Sequence, residues 1–184
     1  MKYDDQLRSL LPRAREVMSG LSDDQINWRP AEGSWSVAEC VVHLNTTNSL
    51  YISALEEKFR LARREDWKSR PSEARVGLLE SWFIRSLEPP YRWKFKAPKE
   101  FAPPASHYER DELLARWVSQ HQRLLDLSSE NDDLDWRQIR VPSPAMPRIA
   151  FGALSVFGII AAHDRRHLWQ AMQIRSRLPT SATR

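Results

Sequence analysis

The stretch GIIAAHDRRHLWQAMQI, residues 158–174, decides both the fold class and the candidate site. At about 100° per residue it predicts a helix whose inward face carries His163, His167, Gln170 and Ile174. Residues four apart on a helix are neighbours, so the two imidazoles can reach the same ion. A single inward histidine is usually a core residue, but two stacked ones each need a polar partner once they are buried. A shared metal ion supplies that partner for both, so the stretch predicts metal binding.

The composition of the whole chain indicates a single all-α domain over residues 1–184. The chain has only five glycines, and its apolar residues recur with the helical period. Its length is sufficient for one buried core. A single cysteine, Cys40, excludes an intramolecular disulfide and fits a reducing compartment. There is no signal-peptide pattern and no apolar run of about 18 residues, so we expect a soluble, cytoplasmic protein without a membrane partner.

The apolar stripes predict a four-helix bundle. Capping-box patterns at Ser22–Gln25 and Ser36–Glu39 mark the starts of a short helical turn and of the second long helix. Because simple up-down bundles have short connections, the long crossover over residues 63–106 favours an up-down-down-up order. An acidic, proline-punctuated loop is expected over residues 130–149. Four long helices are expected near residues 4–20, 36–62, 108–129 and 151–175, with a short helix at 72–87 inside the crossover.

The charge pattern argues against a nucleic-acid partner. The formal net charge is +4, but 28 basic residues are interleaved with 24 acidic ones rather than gathered in a stripe. The basic and aromatic run over residues 91–96 has a composition that can stack on bases. A loop pinned to the bundle by its aromatic residues accounts for this run better, so we expect no nucleic acid to bind.

The last helix lacks the remaining ligand that a metal site needs. His163 and His167 have the spacing of a zinc-protease helix, but Asp164 stands where the H-E-x-x-H pattern has its glutamate. No His, Cys, Asp or Glu follows His167, so a further ligand must come from upstream. His43 on the second helix fits best, and His121 on the third is a candidate fourth ligand or a residue that supports a ligand. Three protein ligands leave an open position for chemistry, whereas four make a structural site.

Two segments carry a family resemblance. LSDDQINWRPAEGSWSVAECVVHL, residues 21–44, and HDRRHLWQ, residues 163–170, resemble the DinB/YfiT-like superfamily of four-helix-bundle metalloenzymes. The resemblance implies a metal triad of one histidine on helix 2 and two on helix 4, which here are His43, His163 and His167. It also implies a nickel or zinc ion and, in many members, a homodimer. Characterised members include thiol-dependent S-transferases, a thiol-dependent isomerase and hydrolases.

Three functions follow as alternatives. The preferred one is S-transferase-type chemistry, in which a metal lowers the pKa of a low-molecular-weight thiol that then attacks a small electrophile. A metal-dependent hydrolase would need a carboxylate base near the ion. The nearest carboxylates are Glu39, which the capping box engages, and Asp164, which points about 100° away from the histidine face. The third alternative is a non-catalytic bundle, in which the metal only holds the second and fourth long helices together. Glu39 and Arg166 are weak catalytic candidates, Glu39 as a base and Arg166 as a contact for an anionic substrate.

A surplus of aromatic residues outside the bundle stripes agrees with the homodimer that the resemblance implies. These residues are Trp82, Phe83, Trp93 and Phe95. Exposed apolar patches of this kind often mark protein–protein contacts. We therefore expect a second copy of the chain to cover them.

Overall fold

The computed structural model describes residues 3–68, 75–90, 101–146 and 148–179, and the chain there is mostly helical. The all-α class predicted from the sequence is confirmed, since the two strands in these ranges have only three residues each. No helix of the described residues is long and apolar enough to cross a membrane. In chain order the elements are α1 (Asp4–Met18), α2 (Asp23–Asn27), α3 (Val37–Arg64), α4 (Leu78–Leu87), α5 (Arg110–Glu130), β1 (Arg140–Pro142), β2 (Ala150–Gly152) and α6 (Ala153–Arg175).

Side-chain caps fix the starts of two helices where the sequence predicted them. The Ser22 hydroxyl accepts from the Gln25 backbone N–H, and the Gln25 side chain accepts from the Ser22 N–H, at the start of α2. Ser36 and Glu39 form the second capping box at the start of α3. Each box satisfies two backbone N–H groups that a helix start leaves without intrahelical partners. Both predicted capping boxes are confirmed.

The short helix predicted over residues 72–87 begins later than expected. Residues 75–77 are not helical, and residues 72–74 lie outside the described ranges. Gly77 has an extended backbone (φ −63°, ψ 158°), and its N–H donates to the Glu80 carboxylate at 3.4 Å. Because the Glu80 side chain caps the first turn at this point, α4 begins directly after Gly77.

A short hairpin lies where the sequence predicted irregular loop and the first turn of the last helix. β1 and β2 are antiparallel, and the buried residues Val141 and Phe151 face each other across them. The Phe83 ring of α4 stacks on Phe151, with ring centroids 5.3 Å apart. The expected start of the last helix at residue 151 is therefore two residues early, because that position belongs to β2.

Glu80 also caps the helix that carries His163 and His167. Gly152, the residue before α6, has no capping side chain of its own. Its N–H donates to one Glu80 carboxylate oxygen at 2.9 Å, and the Ser155 hydroxyl donates to the other at 2.5 Å. A carboxylate at a helix N-terminus also interacts favourably with the helix dipole. This side chain therefore ties α4 to the start of α6.

Replacing Glu80 with alanine is expected to lower the free energy of unfolding by about 1–2 kcal/mol at pH 7, because the first turn of α6 loses its cap. Urea denaturation measures the change, with the exposed Glu112→Ala as a control that should stay within about 0.5 kcal/mol of the parent. An unchanged midpoint for Glu80→Ala would mean that the cap contributes nothing.

The same variant has a defined pH dependence. Burial acts to raise the pKa of Glu80, but hydrogen bonds from Ser155 and two backbone N–H groups, with the Arg140 charge, outweigh it and lower the pKa. A carboxyl whose folded-state pKa is depressed stabilises the protein above its unfolded pKa and loses that contribution as the pH falls. The difference in free energy of unfolding between Glu80→Ala and the parent should therefore shrink as the pH falls below the ordinary glutamate pKa of about 4.3.

The outer face of α4 carries large apolar side chains that are mostly exposed. These are Leu78, Leu79 and Trp82. Trp93 and Phe95, two of the aromatic residues expected to cover a partner, lie outside the described residues, as does the basic and aromatic run that contains them.

Candidate metal centre

Three histidines from two helices meet inside the protein. His43 comes from α3, and His163 and His167 come from successive turns of α6. The ring centroids of His43 lie 5.1 Å from His163 and 4.6 Å from His167, and the two α6 rings are 4.6 Å apart. One ligand nitrogen of each ring lies within 4.8 Å of the other two. The sequence alone placed these three residues on two helices, and the fold brings their rings together.

The spacing of the ring nitrogens suits a small divalent ion. The Nε2 atoms of His43 and His163 are 3.3 Å apart. Two nitrogens that each lie about 2.05 Å from a tetrahedral zinc ion are about 3.3 Å from each other. In the described part of the chain no carboxylate or thiol joins this group of three. The donor set is therefore three imidazoles, which fits zinc or nickel better than calcium or magnesium.

Hydrogen bonds at the far side of two rings fix which nitrogen can bind a metal. His43 Nδ1 lies 2.8 Å from the Phe101 backbone oxygen, and His167 Nδ1 lies 3.1 Å from Gln170 Oε1. Because these oxygens only accept, both Nδ1 atoms carry the proton and both Nε2 atoms hold a free lone pair. Partners of this kind orient metal-binding histidines in proteins generally. Sequence reasoning missed both: a backbone carbonyl has no sequence signal, whereas Gln170 lies on the predicted inward face.

Burial keeps the three imidazoles neutral. It lowers the pKa of His163 to about 3, with further lowering by the neighbouring His43 and the Arg166 charge. Burial also lowers the pKa of His167 well below its ordinary value, and the neighbouring His163, His43 and Arg166 add to the effect. For His43 burial again lowers the pKa, opposed by the Phe101 hydrogen bond and the Asp164 charge. Neutral imidazole is the form that binds metal, so protons compete little at neutral pH.

The metal-free protein is expected to lose stability as the pH falls below about 6.5, the ordinary pKa of histidine. The folded-state pKa of His163 is depressed, so the unfolded chain binds more protons below that pH and is favoured. Each such histidine contributes a slope of up to about 1.4 kcal/mol per pH unit. Urea denaturation with a chelator, at several pH values between 7 and 5, measures the slope.

The exposed His107 provides the control for this pH series. His163→Gln should give a shallower slope than the parent, whereas His107→Gln should leave it unchanged. Equal slopes for His163→Gln and the parent would contradict the assignment of the effect to the buried rings.

Trp35 lies against the histidines from the loop between α2 and α3. Its ring centroid is 5.0 Å from that of His43 and 5.8 Å from that of His167. The loop is held at its other end by Asn27, whose side chain donates to the Tyr108 backbone oxygen at 2.8 Å and accepts from the Tyr108 N–H at 3.0 Å. The N-W-R-P…G-x-W-S segment therefore forms a fixed loop that covers one side of the site.

Glu39 is engaged in holding this loop. Its carboxylate accepts from the Ser36 backbone N–H at 2.8 Å and from Arg29 Nε at 2.9 Å, and Arg29 Nη2 contacts its second oxygen. A carboxylate with these partners is positioned by them rather than aimed at a reacting group. The contacts of Glu39 favour a structural role over the catalytic one considered from the sequence.

His121 faces a different buried group. Its Nε2 lies 2.9 Å from Asp164 Oδ2, and its Nδ1 lies 3.0 Å from the Trp117 backbone oxygen. Asn48 donates to both Asp164 oxygens, at 3.1 and 3.3 Å. His121 is not in the ligand group formed by His43, His163 and His167 among the described residues. The structure thus joins His121 and Asp164 to each other instead of supplying a fourth ligand or a base.

Arg166 is buried rather than solvated. Only 6% of the residue is exposed, and its charge contributes to the low pKa of both His163 and His167. It therefore lies within electrostatic reach of the three histidines, although it supplies no atom to their group. Its positive charge there favours an anionic ligand over a cationic one.

Comparison with known proteins gives one match. A family model described as the DinB superfamily matches residues 6–171, which include all three histidines and Trp35. No match was found among curated proteins or among solved structures. The match covers most of the chain, including the segments on which the sequence resemblance was based.

Proposed function

We propose, for a chain that belongs to the DinB superfamily, that His43, His163 and His167 hold one divalent metal ion and that the site activates a small thiol for transfer to an electrophile. The observation that carries the proposal is the convergence of three imidazoles, buried for His43 and His167 and half-buried for His163, whose ligand nitrogens lie within 4.8 Å of one another. We propose nickel or zinc as the ion, because three imidazole donors suit both. When bound, such an ion lowers the pKa of a coordinated thiol or water and so supplies a nucleophile near neutral pH.

The residues around the site support thiol transfer over hydrolysis. Hydrolysis is helped by a carboxylate that takes a proton from water. Glu39 is bound to Ser36 and Arg29, and Asp164 is bound to Asn48. A thiol reaches its reactive thiolate form without a protein base once its pKa is lowered. The Arg166 charge further favours an anionic sulfur close to the histidines.

A non-catalytic staple, a metal that only holds two helices together, is the second candidate. It would need a fourth protein ligand, and His121, the residue considered for that role, contacts Asp164 instead. Three protein ligands leave a position for thiol, water or substrate. His163 is only half-buried, so solvent reaches the site on its side.

The test compares loaded and metal-free protein. Untagged protein is analysed for metal, stripped with a chelator and reloaded with zinc or nickel. The proposal expects the loaded form to accelerate consumption of a cellular thiol in the presence of a small electrophile, and the metal-free form and His163→Ala not to. Metal-dependent ester hydrolysis without a thiol would favour the hydrolase. Metal that binds and raises the melting temperature, with neither reaction, would favour the staple.

We also propose that the four long helices form a bundle in up-down-down-up order. The helix pairs with extensive contacts support the four-helix arrangement: α1 packs against α5 and α6, and α3 packs against the same two. Four helices in contact around a square give this pattern, with α1 diagonal to α3 and α5 diagonal to α6.

A homodimer is the assembly that we propose. Its support within the described residues is the exposed apolar face of Leu78, Leu79 and Trp82 on α4. Light scattering of the parent and of Trp82→Ser tests it: a monomeric parent at high micromolar concentration would exclude the proposal, and a dimer that Trp82→Ser dissociates would support it.

A further inference from the structure

Gln170 lies beside the metal-binding position without being one of the three ligands. Its side-chain oxygen is 3.1 Å from His167 Nδ1, and the side chain is half-buried. We infer that Gln170 is a positioning residue that selects the ring nitrogen with which His167 binds metal and thereby sets the metal affinity. The inference rests on the proposed function, since it concerns the same site.

The position of Gln170 follows from helix geometry. Residues three apart on α6 share a face, and helical side chains lean back toward the N-terminus. The amide of Gln170 therefore reaches back over the His167 ring from the following turn. An acceptor at Nδ1 keeps the proton there and turns the Nε2 lone pair toward the other two imidazoles.

His43 on α3 and His167 on α6 thus use different kinds of acceptor. His43 has a backbone oxygen, that of Phe101, at 2.8 Å, whereas His167 has a side chain. Without an acceptor at Nδ1, the ring loses its fixed orientation, and the form with its proton on Nε2 predominates because that proton can be donated to the lone pair of a neighbouring imidazole. That form cannot bind metal through Nε2, so the apparent affinity falls in proportion to the fraction that remains competent.

The amide also leaves the charge of the site unchanged. A carboxylate at this position would accept the Nδ1 proton more strongly but would bring a negative charge next to the ligand ring. With glutamine, the loaded site keeps the full charge of the divalent ion beside Arg166. That charge suits the anionic sulfur of the proposed reaction.

The experiment uses three variants of the full chain. Gln170→Leu removes the acceptor at similar size, Gln170→Glu keeps an acceptor that cannot donate, and Gln173→Leu changes an exposed glutamine on the same helix as the matched control. Competition with a chromogenic chelator gives the affinity for zinc. We expect Gln170→Leu to bind zinc about 10–100-fold more weakly than the parent. Gln170→Glu should bind at least as tightly as the parent, and Gln173→Leu should match it.

A second measurement does not depend on metal. Long-range nitrogen–proton NMR correlations of the metal-free protein, with labelled histidine, report which nitrogen of His167 carries the proton. The signals are assigned by their absence in His167→Gln. The inference expects the proton on Nδ1 in the parent and in Gln170→Glu, and mainly on Nε2 in Gln170→Leu.

The outcomes separate the inference from the proposed function. A proton on Nε2 in the parent, or zinc affinity in Gln170→Leu within twofold of the parent, overturns the role of Gln170 while leaving the metal site intact. Equal losses in Gln170→Leu and Gln170→Glu also overturn it, because they would reflect packing rather than acceptance of the proton. A parent that binds no zinc or nickel overturns the proposed function itself, whatever form His167 takes.

Discussion

Alanine in place of His163 or His167 is expected to abolish stoichiometric binding of a divalent metal. Each change removes one of three converging ligands, and two imidazoles hold zinc or nickel far more weakly than three. The loss should exceed the roughly 10–100-fold that removal of a supporting partner costs. Equilibrium dialysis followed by metal analysis measures the stoichiometry.

The same variants should keep their helical fold. The buried core runs through all the long helices and includes large fully buried side chains such as Trp117, Phe157 and Leu124, so we expect folding not to depend on a metal. Circular dichroism should show helical content close to that of the parent. Exposed His107→Ala is the matched control and should bind one equivalent. One equivalent of metal bound by His163→Ala would show that the site lies elsewhere.

Replacing Asp164 with leucine is expected to lower the free energy of unfolding by about 3–5 kcal/mol, because it removes one partner from a fully buried polar cluster. Asp164 has no exposed surface, and it joins α6 to Asn48 on α3 and to His121 on α5. Without the carboxylate, the buried Asn48 amide loses its acceptor oxygens, and the buried His121 ring loses its close contact with a charged group.

Two further variants sharpen this prediction. Asp164→Asn keeps the shape and one acceptor oxygen, so its loss should be smaller, about 1–3 kcal/mol. The exposed Asp132→Ala should stay within about 0.5 kcal/mol of the parent. Urea denaturation of the metal-free proteins at pH 7 separates the three. A change below about 1 kcal/mol for Asp164→Leu would mean that the cluster contributes little stability.

Local signals in the sequence located much of the fold. The capping boxes at Ser22 and Ser36 placed two helix starts to the residue, since a cap is specified by side chains only three positions apart. The start of α4 and the β1–β2 hairpin were not predicted. Both depend on contacts between distant segments: Glu80 caps two helices, and the hairpin pairs Val141 with Phe151.

Around the site, too, local patterns in the sequence predicted some features, whereas features that depend on packing between helices were not predicted. The positions of His163 and His167 followed from the helical period. The sequence treated α6 as a helix with one inward face, whereas it packs against α1, α3 and α4. Asp164 and Arg166 are therefore buried, although they lie off the histidine face. Helical periodicity gives the direction of a side chain but not the number of neighbouring helices, so their burial could not be predicted.

The hydrogen bond from His43 to the Phe101 carbonyl bears on how this architecture can diverge. A main-chain oxygen is available whatever amino acid occupies position 101, so a relative with another apolar residue at this buried position can still orient the ring. Long connections also accept insertions and deletions at small entropic cost. The segment that joins α4 to α5 can thus change in length and composition during evolution, or be replaced by design, provided that one peptide group returns to the same place. Searches for invariant residues would overlook this support.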